Sequence, residues 1–317
     1  MRILFFGTGD FAVPSLRALH QAGHVIAAVI SQPDRPSGRG RGLQPTPVRA
    51  AAEMLSLPHL QTADVNALDA AELGTRAEIG VVVDFGQKIG SALLAAVPRG
   101  FVNIHASLLP KYRGAAPVQW AILNGEQVTG VTVFQLDERW DAGPIWAQRS
   151  TPIDPVETAD ELHSRLAELG AQLIVETLPA IVAGTLQPLR QDHGIATRAP
   201  KLTKADGRLT FDASAETVVR RIHGLWSWPG AACTFISRSG KRERLLLARA
   251  AVADHHAAPD PQWPPGAFHP DRTLQTGRGR VRLLEVQPAG KKLMPFDAFA
   301  NGRHIAPPDR LLPIDEE

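Results

Sequence analysis

Residues 1–16 read Met-Arg-Ile-Leu-Phe-Phe-Gly-Thr-Gly-Asp-Phe-Ala-Val-Pro-Ser-Leu. The apolar run Ile3–Phe6 stops at Gly7, which predicts a short strand buried on both faces. The next residues, Gly7-Thr8-Gly9-Asp10-Phe11-Ala12, fit the pattern G-x-G-x-x-A. Pro14 suits the first turn of a helix, Leu16 and Leu19 share one of its faces, and Gly23 stops it. Strand, glycine turn and helix together open a nucleotide-binding α/β unit. The glycines are expected where a tight turn needs backbone angles that other residues avoid. A dinucleotide site also needs an acid about twenty positions on, at the end of the second strand, to hold ribose hydroxyls. That strand, Val25–Ile30, runs into Ser31-Gln32, and the nearest acid, Asp34, stands beside Arg35, where an arginine would neutralise it. The motif therefore points to the fold and away from a nicotinamide cofactor.

Working outward, strand Ile79–Val83, helix Ser91–Ala96 and strand Phe101–His105 follow in β-α-β order. Residues 48–55 and 117–125 read as helical, and Val131–Leu136 alternates like a strand. Leu162, Leu166, Leu169 and Leu173 place an amphipathic helix over 158–178. Residues 31–47, rich in Pro, Gly and Arg, read as an extended loop, and 56–78 carry no clear pattern. These features predict a doubly wound, mostly parallel sheet with a Rossmann-like order over residues 1–184. A linker over 185–207 would lead to a small OB-like β-barrel over 208–317, from the strand-like runs 232–236, 245–248 and 281–286. Trp226 and Trp228 are expected in its core.

The chain of 317 residues is 44% hydrophobic and 21% charged, which suits a globular protein of two domains. Cys233 is its only cysteine, which rules out an intrachain disulfide and a cysteine zinc site. The eleven histidines show no metal-ligand spacing, so no metal is expected. No stretch reads as membrane-spanning, and a cytoplasmic location is expected. Net charge is only +2, yet residues 198–249 hold eleven Lys/Arg against four acids. That local excess fits an anionic partner such as a nucleic acid, or simply a solvated basic face.

The chemistry concentrates in Phe101-Val-Asn-Ile-His-Ala-Ser-Leu-Leu-Pro-Lys-Tyr-Arg-Gly114. Asn103 and His105 stand two apart at the carboxyl end of a strand, so both leave one face where open α/β sheets build their sites. An amide donor beside an imidazole can stabilise an oxyanion and handle a proton. A carboxylate would orient that histidine and favour its charged form. By chemistry alone, Asp137 and Asp141 both qualify.

NIHASLLPKYRGAAPVQWAI (103–122) followed by GVTVFQLDERWDAGPI (130–145) resembles the folate-dependent formyltransferase family. The opening turn, SQPDRPSGRGRGLQPTPV (31–48), KLTKADGR (201–208), WSWPGA (226–231) and LLEVQPAGKKLMPFDAFANG (283–302) extend the resemblance along the chain. It implies that Asn103, His105 and Asp141 form the catalytic set, Asp141 through its D-x-G-P-I context. It implies 10-formyltetrahydrofolate as co-substrate, held by Phe85, Gly86, Gln87, Lys88 and Ile89 and by the turn Ser107, Leu108, Leu109, Pro110. The Arg-rich segment and the C-terminal motifs narrow the resemblance to members that act on initiator methionyl-tRNA. Arg35, Arg39, Arg41, Lys201 and Lys204 would then contact the tRNA, and the chain would act as a monomer with neither metal nor nicotinamide. The alternative within the family is a small amine or water as formyl acceptor. Two departures stand out: relatives often have Ala-Tyr-Gly where this chain has Asp84-Phe85-Gly86, and two lysines where it has Arg41-Gly42.

Overall fold

The computed structural model describes residues 1–37, 42–258 and 261–314. The chain divides into two compact units. The first comprises Met1–Pro117, Val128–Thr151 and His163–Ala199, and the second Val118–Gln127, Pro152–Leu162 and Pro200–Glu317.

In the first unit the strands are β1 (Arg2–Gly7), β2 (Val25–Ser31), β3 (His59–Gln61), β4 (Ile79–Val83), β5 (Phe101–His105), β6 (Val128–Gln135) and β7 (Ile145–Pro152). They lie in the order β7-β6-β5-β4-β1-β2-β3. From β3 to β5 every pairing is parallel, and β6 joins β5 antiparallel. The order reverses direction between β1 and β4, and the crevice outside their carboxyl ends is where such sheets bind ligands. Continuous apolar runs build these inner strands: Ile3–Phe6 and Ile79–Val83 are buried along their whole length, as strands covered on both faces require. Phe6 meets Phe85 and Phe101 edge-on, each with centroids 5.5 Å apart, and a Cβ at Gly80 would overlap the Phe101 ring.

Helix α1 (Ala12–Gln21) follows β1 as the sequence predicts, and Gly23 has φ +81°. The glycines of the turn itself have a different reason from the one expected. Neither Gly7 nor Gly9 is among the residues with positive φ. Close approach excludes a side chain instead: a Cβ on Gly7 would stand 2.8 Å from the Ala12 Cβ, and one on Gly9 would overlap the Asp84 carboxyl.

Four other features depart from the sequence reading. The expected loop 31–47 contains a hairpin, Arg35–Ser37 against Gly42–Gln44, with Arg39 and Arg41 outside the described residues. Asp34 is anchored at its base, accepting from Gln61 Nε2 at 2.7 Å and paired with Arg49 at 2.5 Å. The Gln61 hydrogen bond and the Arg49 charge hold its carboxyl below the usual range, so it is engaged within the fold. The patternless region contains β3 and helix α3 (Ala70–Arg76), after α2 (Pro47–Met54). Third, α4 (Ser91–Ala96) and α5 (Pro117–Leu123) match the reading, whereas edge strand β7 was not foreseen. Finally, α6 (Ala159–Ala183) has 25 residues and a mean hydropathy of 1.5 over its most apolar stretch, long and apolar enough to cross a membrane. That corrects the expectation of no such stretch, although Leu166, Ile174 and Leu178 are fully buried, as in a core helix.

The second unit carries an antiparallel sheet of β8 (Ala231–Ile236), β9 (Arg242–Asp254), β10 (Leu274–Gln275), β11 (Arg280–Pro288) and β12 (Arg310–Pro313), in the order β10-β11-β9-β8-β12. The sheet curls until residues 266–268 bridge its ends. Leu311 N donates to Gly266 O at 2.7 Å and Gln275 N to Ala267 O at 2.9 Å, which links the edge strands of a curled half-barrel. Its core holds Phe211, Phe235, Phe268 and Phe296 together with helix α7 (Ala215–Gly224), capped by Ser214, and helix α8 (Phe296–Arg303). Trp228 is 51% exposed, so the expectation of a core position fails for it.

Candidate active site

Asn103 and His105 leave the end of β5 as predicted. His105 is buried, and its Nε2 lies 2.8 Å from the Tyr112 carbonyl oxygen. A carbonyl only accepts, so Nε2 carries the hydrogen and donates it. The nitrogen left to gain or lose a proton is Nδ1, which faces Asp141 Oδ2 at 4.0 Å. The structure thereby separates the two candidate acids. Asp141 stands beside His105, whereas Asp137 accepts from the backbone N–H and guanidinium of Arg139.

Asp141 sits in a sharp loop with φ +48°. Three groups hold it there. Gly114 N donates to Asp141 Oδ2 at 2.8 Å. Gln191 Nε2 donates to the carbonyls of Asp141 and Gly143 at 3.0 and 2.7 Å, and Arg113 in turn donates to Gln191 Oε1 at 2.6 Å. Burial and the neighbouring Arg139 charge pull the Arg113 pKa down from its usual value. Gln191 was missed because it lies in the segment read as linker. That segment divides: Leu189 pairs with Ile145, and Arg198–Ala199 with Arg113–Gly114, all within the first unit. The only sequence signal for Gln191 was its polarity.

The D-x-G-P spacing also acquires a physical reason. A Cβ on Gly143 would overlap the backbone oxygen of Gln135, an atom that cannot swing aside. Gly143→Ala is therefore expected to shift the loop and carry Asp141 away from His105. The predicted result is a loss of turnover of about tenfold or more, because small misplacements of a reacting group are costly. Steady-state kinetics on variant protein with an unchanged circular dichroism spectrum checks it; full activity would show that the loop tolerates the displacement.

Asn103 faces a narrow cleft with Val82, Gln87, Lys88, Ile89, Leu94 and the loop Leu136–Asp141. Among the described residues no group hydrogen-bonds its carboxamide, so the amide is open to whatever enters. The lining of the cleft includes exposed Arg139 and Trp140. The Gln87 side chain accepts from Val65 N and donates to Thr62 O.

The remaining predicted residues fall elsewhere. Phe85 and Gly86 line a second cleft, between the tips of β1 and β4, together with Thr8, Gly9, Gln32, Arg35 and Asp84. The turn Ser107–Pro110 is tied into the fold: Ser107 Oγ donates to Lys111 O, Leu109 N donates to Thr132 Oγ1, and Leu109 O accepts from Gln148. Lys201 and Lys204, in the second unit, are exposed. Not all of the basic excess is open to a partner, because Arg249 is engaged by Glu161 and Glu285.

Asp84 was noted only as a departure from the pattern. It has φ +45° and lies against Gly9. Asp84 is exposed at the second cleft. Loss of water on the side packed against Gly9, and then the nearby Asp10 charge, push the carboxyl up to about 6.

Comparison with known proteins accords with this geometry. Residues 1–178 match the formyl transferase family model, and residues 201–304 match the model of the formyl transferase C-terminal domain. A methionyl-tRNA formyltransferase of Heliobacterium modesticaldum is 44% identical over 97% of this chain and 98% of its own length. That of Solibacter usitatus is 44% identical over 98% of each. Among solved structures, the fold resembles an N-formyltransferase of Helicobacter canadensis in complex with folinic acid and dTDP-3-aminofucose. Its TM-score is 0.66 at 18% identity, covering 90% of this chain and 98% of that one. HypX of Aquifex aeolicus with tetrahydrofolic acid gives a TM-score of 0.60 at 19% identity over 95% of this chain and 47% of that one. Domain models that cover both halves, and relatives matched from end to end, lead to one conclusion: the chain belongs to the formyl transferase family, and its full-length relatives are methionyl-tRNA formyltransferases.

Proposed function

We propose that this protein transfers the formyl group of 10-formyltetrahydrofolate to the α-amine of methionyl initiator tRNA. The observation that carries the reaction class is the open Asn103 carboxamide at the cleft beside the His105–Asp141 pair. The full-length relatives name the acceptor.

Attack of the amine on the formyl carbon leaves a tetrahedral centre with a negative oxygen. Asn103 Nδ2 donates a hydrogen bond to that oxygen. The amine sheds a proton as it attacks, and the departing N10 takes one up. His105 Nδ1 carries this traffic, because Nε2–H is engaged with the Tyr112 carbonyl. Asp141 stabilises the imidazolium that forms in between, and its fixed loop keeps the distance constant. The folate donor fits the Asn103 cleft through its apolar walls, Val82, Ile89, Leu94 and Leu136. From the stretch after β4, Gln87, Lys88 and Ile89 line that proposed pocket, Phe85 and Gly86 reach it only through the chain that joins them to Gln87, and the Ser107–Pro110 turn follows β5 beyond His105.

Arg35, Arg39 and Arg41 would meet tRNA phosphates from the hairpin, and Lys201 and Lys204 from the second unit. This reading carries with it a monomer acting in the cytoplasm. The test is incubation of the purified protein with the formyl donor and charged initiator tRNA. Formyl-methionyl-tRNA is the expected product. Its absence, with product from a nucleotide-linked amine or from water instead, would overturn the choice of acceptor.

A further inference from the structure

The cleft between the tips of β1 and β4 has a volume of about 320 Å³ and holds a carboxyl that the formyl-transfer steps leave unused. Its other polar side chains on this side are engaged. Thr8 Oγ1 donates to Phe85 O at 3.0 Å and accepts from Gln32 N. Gln32 Nε2 donates to Phe85 O at 2.8 Å, and its Oε1 accepts from Arg35. Asp84 is different: among the described residues, no donor reaches its carboxylate. Gly9 keeps the place free, since a side chain there would collide with Asp84 Oδ2. Asp84 is exposed at the cleft, so its carboxylate is free to accept a hydrogen bond from a ligand that brings a donor.

Its position indicates which ligand. The far wall of the cleft is the root of the Arg-bearing hairpin, Arg35 and Gln44. On the near side β4 runs beside β5 with Val82 level with Asn103, so Asp84 lies at the β4 exit two residues past that level. A chain end held at the hairpin and reacting at Asn103 crosses this cleft. We infer that Asp84 binds the aminoacylated end of the acceptor, taking a hydrogen bond from the α-ammonium or from the free hydroxyl of the terminal ribose. This rests on the proposed function and names a contact within it.

Steady-state kinetics of the full-length chain on methionyl initiator tRNA tests the assignment, using Asp84→Ala, Asp84→Asn and Gly9→Ala. Asp84→Ala is expected to raise the acceptor KM about tenfold, the scale of a hydrogen bond to a charged group. Asp84→Asn, which keeps an accepting oxygen, should raise it less. Donor KM and kcat should stay within about twofold. Gly9→Ala displaces the carboxyl without removing it, so it should raise the acceptor KM too, yet add little in the Asp84→Ala background. An acceptor ending in a 2′-deoxyribose separates the two donors. If the hydroxyl is bound, Asp84→Ala costs nothing further on that substrate; if the ammonium is bound, it costs the same on both. An unchanged acceptor KM, or an equal rise in donor KM, would overturn the assignment. Because the wild-type protein must formylate the tRNA for these ratios to exist, failure of the proposed function is seen separately.

Discussion

His105→Ala is expected to lower the kcat of formyl transfer about a thousandfold, the middle of the range for a lost general acid–base group. Acceptor and donor KM should change by no more than about twofold. The imidazole is buried, with Nε2–H held by the Tyr112 carbonyl and Nδ1 turned to Asp141. Alanine also leaves the Tyr112 carbonyl without its donor and opens a small void, so part of the loss could come from local collapse. His105→Gln separates the effects: its amide can still donate to Tyr112, but it cannot carry a proton. Both variants should therefore lose turnover alike while His105→Gln melts closer to the wild type. A His105→Gln enzyme with more than about a tenth of normal kcat would refute proton transfer at Nδ1.

Asn103→Ala is expected to cost about a hundredfold to a thousandfold in kcat, as removal of a single oxyanion donor does elsewhere. The carboxamide has no partner to lose among the described residues, so stability should hardly change. The negative oxygen exists only along the reaction path, so the loss should fall on kcat and spare KM. Asn103→Asp sharpens the test. It preserves shape but presents negative charge to a developing anion, and should be at least as inactive as alanine. Appreciable turnover by Asn103→Asp would mean that the residue does not face the oxyanion.

The inner strands were legible because parallel strands covered on both faces are short unbroken apolar runs, as in Ile3–Phe6 and Ile79–Val83. Helix α6 was legible from leucines spaced by three and four. The three-residue β3, His59–Gln61, carries no such signal, and edge strand β7 alternates between half-buried and exposed residues rather than apolar and polar ones. In the second unit, α7 and α8 were hidden among Gly- and Pro-rich turns, although Ser214, which accepts from Thr217 N, is an ordinary helix-capping signal.

The linear order alone determined the alternation of strands and helices, the glycine turn after β1, and the placement of Asn103 and His105 on one face of one strand. These follow from periodicities of two and 3.6 residues, which operate over short spans of chain. Tertiary structure decided the rest. It selected Asp141 over Asp137, assigned the hydrogen of His105 to Nε2, brought Gln191 onto the loop fifty residues before it, and set Asp84 against Gly9. It also gave Gly7 and Gly9 a different reason from the backbone angle the local pattern suggested. Each of these is a contact between groups far apart along the chain, or a clash that exists only once the strands lie side by side, and no local spacing encodes either.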